Sequence, residues 1–197
     1  MNIMIPNFPE LLAKYAEPFR HYHGQHHINT LLDLFNTREE VQRLSYEDST
    51  KLFLAIWYHD AIYNIPAGAE SNEVLSAQYF RKHNLAQHDS TVDAILATEF
   101  HFSNTEYDDP VVNLMLDFDI FTFSYPYEEY KRINLTIDAE YECFFSAGEV
   151  FEKRLAFLQT ILDQRSLRFR ALDDRAQLEV QAYANIERYI SDRRNNG

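Results

Sequence analysis

His59 and Asp60 stand side by side at the end of the apolar run Leu52-Phe53-Leu54-Ala55-Ile56-Trp57-Tyr58, and Ala61-Ile62-Tyr63 follows them. A carboxylate buried beside Trp, Ile and Phe costs several kcal/mol unless its charge is offset. A divalent metal ion offsets it, because it accepts imidazole nitrogen and carboxylate oxygen alike. The structural alternative is that Asp60 caps the following turn while His59 is a hydrogen-bonded core histidine.

Two further stretches carry the same chemistry. Half of the eight histidines fall within Arg20-His21-Tyr22-His23-Gly24-Gln25-His26-His27, where His23 and His27 are four apart and share a face if the helix begins early. The stretch Val111 to Phe121 is apolar nearly all round, as a buried helix is, yet it carries Asp117 and Asp119. His27, His59, Asp60 and one of these aspartates would give two imidazoles and two carboxylates, a set suited to one divalent ion such as Mn, Fe, Ni, Zn or Mg. Residues two apart on a helix point in different directions, so spacing alone does not choose between Asp117 and Asp119. There is no HExxH, no CxxC and no Glu-x-x-His pair of the ferritin-like kind.

The elements that must position these groups read as helices. Only Gly24, Gly68, Gly148 and Gly197 are glycine, too few for the hairpins and strand-to-helix turns of a β or α/β chain. The periodicity predicts helices over 9–19, stopped near Pro18, and over 27–44, 50–58, 72–83 and 90–101. Further helices are predicted over 110–121, 126–144, 147–163 and 173–192, with Asp192 to Gly197 fraying. Ser45 to Ser49 reads as a polar connector, Ser71 as a helix cap, and Asp109-Pro110 as a helix start with Pro at its first position.

Composition narrows the function. With 197 residues, 46% hydrophobic and 25% charged, the chain suits one globular domain. The missing glycines remove every GxGxxG or Walker cradle, so a phosphate would have to be held by a metal and side chains. A net charge of −13 without a basic stripe makes nucleic acid a poor partner. The lone Cys143 rules out internal disulfides, fits a reducing compartment and reads as a small core hydrophobe. Met1 to Leu12 has no basic start followed by an apolar core, and no apolar run reaches the ~20 residues of a membrane span. The expected location is the cytoplasm, with no membrane partner and with a homodimer permitted.

The order H…HD…D on a helical chain resembles the HD-domain superfamily, and more narrowly its small bacterial predicted metal-dependent phosphohydrolases. The likeness rests on Glu17-Pro18-x-Arg20-x-Tyr22-His23 with His27-Ile28, then on Ala55-Ile56-Trp57-Tyr58-His59-Asp60-Ala61-x-Tyr63. It continues through Asn72-Glu73-x-x-Ser76-Ala77, Ala97-Thr98-x-x-His101 and Leu116-Asp117-x-Asp119-Ile120. The chain departs from the pattern at Asp138, Gly148-Glu149 and Tyr183, where the family would have basic residues.

The resemblance implies an all-α, single HD-type domain of about eight helices over 1–197, with a motif-bearing core at 17–122 and C-terminal helices at 126–192. It implies one divalent ion between the second, third and sixth helices, held by His27, His59, Asp60 and Asp119. It also implies hydrolysis of a small phosphorylated molecule, a nucleotide among the options, by a metal-activated hydroxide. Within that frame Glu73 is the candidate base or water-orienting group, the other reading being a first-turn Glu that complements its helix dipole. Arg20 and His23 are candidate phosphate binders, although Arg20 could equally pair with Glu17. His101 would bind phosphate or a second metal, or cap its helix; His21, His26, His83 and His88 are expected at the surface. A rival reading is a non-catalytic metal- or ligand-sensing domain that keeps the HD site without turnover.

Overall fold

The computed structural model describes residues 5–83 and 89–196, so His88 and Gly197 lie outside the described residues. Among the described residues ten α-helices succeed one another: α1 Phe8–Tyr15, α2 Gln25–Thr37, α3 Glu39–Gln42, α4 Tyr46–Tyr58, α5 Asn72–His83, α6 Asp89–Ala97, α7 Pro110–Asp119, α8 Tyr127–Glu142, α9 Ala147–Gln164 and α10 Arg175–Asn196. Single 3₁₀ turns follow α6 (Thr98–Phe100) and α7 (Phe121–Ser124), and there is no strand among the described residues. No helix among them is long and apolar enough to cross a membrane.

Local chemistry explains the helix starts. Asp109 accepts from the Val111 N–H at 2.7 Å with Pro110 in the first turn, as expected. Ser71 accepts from the Val74 N–H ahead of α5. Ser146 and Glu149 form a reciprocal capping box on α9. Gly24 precedes α2 because a Cβ there would stand 3.0 Å from the carbonyl oxygens of both Arg20 and Tyr15. That close approach fixes where α2 begins, and so places His27 in its first turn.

Several boundaries differ from the sequence reading. Helix α1 ends at Tyr15 rather than near Pro18, because Pro18 has no N–H for the Lys14 carbonyl and Glu17 donates to it instead. The expected 27–44 helix breaks at Arg38, whose backbone is extended. Its guanidinium lies 4.7 Å over the Phe121 ring and forks onto Asp174, which draws it out of the helix and makes α3 a separate element. Ser45 to Ser49 is no connector: Ser45 caps Asp48 and begins α4 four residues early. Helix α6 starts at Asp89, and α10 continues to Asn196, past the point where the tail was expected to fray. Cys143 is exposed on the last turn of α8, not a core residue.

Helices α4, α6 and α7 pack on one another, with α5 against α6 and α2 against α4. Helices α8, α9 and α10 pack together and meet the first group through the 3₁₀ turn Phe121–Ser124, which lies on α10. One apolar cluster runs through the assembly, from Leu11 and Leu31 through Ile56, Ile95 and Met115 to Leu158 and Ile186.

Asp117 joins the two halves. Its carboxylate is fully buried and accepts three backbone N–H groups, those of Arg170 at 2.7 Å, Ala171 at 2.7 Å and Leu172 at 3.0 Å. Asp117→Ala would leave those donors unsatisfied at up to ~1–3 kcal/mol each, less where they reach water. The expected outcome is a loss of roughly 3–5 kcal/mol in urea unfolding, with divalent-metal content per folded chain unchanged.

Candidate metal centre

Four side chains reach one point from three helix ends. His27 comes from the first turn of α2, His59 caps the C-terminus of α4 with Asp60 next to it, and Asp119 is the last residue of α7. With the short α3 counted, these are the second, fourth and seventh helices. His27 Nε2 lies 3.2 Å from His59 Nε2, 2.9 Å from Asp119 Oδ1 and 3.8 Å from Asp60 Oδ2. His59 Nε2 lies 3.1 Å from Asp60 Oδ2 and 3.6 Å from Asp119 Oδ1. Ligand atoms ~2.1 Å from a common ion stand about 3.0 Å apart at right angles and about 3.4 Å apart tetrahedrally. The observed separations bracket both values.

The tautomers make the case stronger. His59 Nδ1 is 3.0 Å from the Ile56 carbonyl oxygen and must donate to it, so a neutral His59 turns the Nε2 lone pair toward the cluster. That lone pair would then face the Asp60 and Asp119 oxygens with no hydrogen between them, a repulsive arrangement unless a positive charge sits there. A proton is one answer. Burial alone would push His59 down, but the carboxylates of Asp60 and Asp119 outweigh it and hold the imidazole well above its ordinary value. Burial pushes His27 down in spite of Asp119, so the pair does not readily carry two protons. Burial would also raise Asp60 and Asp119, yet His59 beside them keeps both below the usual carboxylate range. A divalent ion is the other answer, and the cluster of His27, His59 and Asp60, whose ligand atoms lie within 4.8 Å of one another, could hold one; Asp119 adjoins it through the two imidazoles.

The remaining sequence candidates divide. His101 Nε2 lies 2.9 Å from the outer oxygen of Asp119, so it belongs to this centre rather than to a helix cap. Asp117 turns away to its three backbone donors, which separates it from Asp119. Arg20 is not open to a phosphate. Its side chain is 1% exposed, and it donates to the backbone oxygens of Asp60 at 2.6 Å, His23 at 3.3 Å and Ala61 at 3.3 Å while pairing with Glu17 at 2.8 Å. It fixes the turn that carries Asp60. His23 and Glu73 line a cleft of about 290 Å³ together with Asp60, His101 and Asp119.

No family model, no curated protein and no solved structure matches this chain.

Two residues that the sequence reading did not assign prove central. Glu140 is fully buried on α8; it accepts the Tyr22 and His23 backbone N–H groups at 2.9 Å and holds His23 Nδ1 at 2.5 Å. Its signals in the sequence are a carboxylate inside an otherwise ordinary helix and the fit of Glu140-Tyr141 to the family's pattern. Arg154 on α9 also lines the cleft. The three departures from the family pattern each have a place in the fold. Asp138 accepts from Arg193 at 2.8 Å, Glu149 completes the α9 capping box, and Tyr183 donates to the Leu167 carbonyl at 2.7 Å.

These shifts predict a pH signature. Stability from the raised His59 is complete at low pH and is lost as pH climbs through its folded value; stability from the lowered Asp60 and Asp119 is present above the ordinary carboxylate range and is lost only in acid. With chelator, Tm should therefore fall as pH rises above the ordinary histidine range, while added Zn or Mn abolishes the fall and binds more tightly as the proton leaves. A metal affinity independent of pH would contradict this account.

Proposed function

We propose that the chain is a divalent-metal-dependent phosphohydrolase of HD type, acting on a small phosphorylated molecule. The observation carrying this reading is the meeting of His27, His59, Asp60 and Asp119, with both carboxylates and His101 reaching a solvent cleft. The resemblance of the motifs around these residues to the HD superfamily supports it. When bound, a divalent ion supplies an acidified water, of pKa near ~7, and a counter-charge for phosphoryl oxygens.

The chain's own groups perform the rest. Arg20 anchors the Asp60 turn, and His101 Nε2 stands 2.9 Å from the outer oxygen of Asp119. His23 has Nδ1 engaged by Glu140 and its ring stacked on Tyr63 at 4.2 Å, which leaves Nε2 for a phosphoryl or leaving-group oxygen. Burial lowers His23, but Glu140 more than compensates, so the ring keeps its proton to higher pH than an ordinary histidine and can deliver it. Glu73 in the cleft wall orients the attacking water or takes its proton.

A non-catalytic metal or ligand sensor is the second reading, favoured by one observation: Asp60, Glu73 and Asp119 line the cleft against a single guanidinium, that of Arg154. Metal analysis combined with a phosphomonoester, phosphodiester and nucleotide panel separates the two. Turnover with bound Mn, Fe, Ni or Zn, reduced at least ~10³-fold in Asp60→Ala and Asp119→Ala, supports the hydrolase. Stoichiometric metal without turnover supports the sensor, and absence of metal removes both. Glu140→Gln should lower kcat by ~10–100-fold with metal retained, and should shift the acid-donating limb of the pH profile to lower pH.

A further inference from the structure

The cleft does not end at the carboxylates. It shares Asn72, Ile137, Tyr141, Arg154 and Phe157 with a second chamber of about 440 Å³, whose own walls include Ile65, Pro66, Ala67, Phe145 and Val150. The first chamber sets the acidic groups Asp60, Glu73 and Asp119 among aromatic and aliphatic walls, whereas the second is chiefly apolar. A volume of this order suits the body of a small organic ligand.

The junction between the chambers is the unusual place. Arg154 is the only Arg or Lys among the described residues lining the first chamber. Its Nε and Nη2 donate to Asn134 Oδ1 at 3.2 and 2.8 Å, a neutral acceptor. Asn134 is itself buried and fixed by donating to the Tyr130 carbonyl at 2.8 Å, so its oxygen is locked toward the guanidinium. Asp138 stands 4.0 Å from Arg154 Nε and already accepts from Arg193 at 2.8 Å. The guanidinium of Arg154 is thus held by a neutral oxygen and faces Asp138 Oδ1 only at the outer limit of an ion pair, which leaves Nη1 without a carboxylate partner among the described residues. Beside it, Tyr141 and Phe157 are 36% and 40% exposed, which leaves aromatic faces in water where the chambers meet.

We propose that the second chamber seats the non-phosphoryl body of the ligand, an aromatic or otherwise apolar group, and that Arg154 at the junction grips an anionic oxygen of that ligand. The ligand class is then an organic phosphate with an aromatic body, selected over inorganic phosphate and over small polar phosphoesters. Tyr141 and Phe157 supply stacking surface that the ligand covers, and the fork of Arg154 supplies directional contact with phosphoryl oxygen. The inference rests on reading the first chamber as the phosphoryl centre.

Full-length protein, loaded with metal and assayed for metal content, is titrated calorimetrically with 2-naphthylmethylphosphonate and with methylphosphonate, neither of which can be hydrolysed. The naphthyl compound should bind at least ~10-fold more tightly. Ala67→Trp, which fills the second chamber from an exposed loop position, should erase that advantage and leave methylphosphonate affinity unchanged. Arg154→Gln should weaken both compounds by ~10-fold, and Arg154→Lys should recover only part of the loss. If Arg154→Gln fails to fold by circular dichroism, Ala67→Trp decides. Equal affinities in a metal-loaded wild type, or an advantage that survives Ala67→Trp, overturn the second-chamber proposal and leave the metal reading intact. Absence of metal, or no binding of either phosphonate, instead removes the phosphoryl centre and this inference with it.

Discussion

Two carboxylates and the carbonyl ends of two helices are aimed at one small volume, and the surroundings hold them there. The macrodipole puts partial negative charge at the C-termini of α4 and α7, where His59, Asp60 and Asp119 stand. An acidic residue is usually unfavourable at such an end, and here the two ends converge. Arg20 relieves part of this by donating to the Asp60 and Ala61 carbonyl oxygens in the turn that follows α4, and the N-terminus of α2 contributes a weak positive end beside His27. The remaining excess has to be met by a proton on His59 or by a cation; the raised His59 and the lowered Asp60 and Asp119 follow from that requirement, while burial lowers His27 against it.

The two aspartates of α7 show how hydrogen-bond surroundings assign a carboxylate its part. Asp117 meets three N–H donors and is a structural acceptor, complete within the protein. Asp119 meets ring nitrogens, of which His59 Nε2 carries a lone pair when the imidazole is neutral, and is incomplete without added positive charge. Glu140 is of the first kind toward the backbone of Tyr22 and His23 and of the second kind toward the His23 ring. It ties the His23 imidazole, stacked on Tyr63, to α8.

Much of this was legible in the sequence because it is local. The Asp109-Pro110 start, the Ser71 cap and the apolar run into His59-Asp60 depend on neighbours within a turn, and glycine scarcity fixed the helical class. What escaped was set by distant partners. Arg38 leaves its helix for Asp174, 136 residues away, and no periodicity registers that. Asp117 could not be told from Asp119 because its donors come from a loop more than fifty residues on. For Arg20 the Glu17 pair is legible in the sequence as one of two readings, whereas its backbone acceptors at Asp60 and Ala61 have no signature in side-chain identity. Cys143 was assigned to the core on average behaviour, and its turn faces solvent.

The reach of Glu140 has a bearing on biosynthesis. As the chain leaves the ribosome, the residues of the centre have all emerged once Asp119 is out, but the clamp on Tyr22 and His23 arrives only with α8, and the Asp117 carboxylate finds its donors only when Leu172 follows. A truncated product that ended before α8 would carry His27, His59, Asp60 and Asp119 without the carboxylate that clamps the Tyr22-His23 backbone ahead of α2.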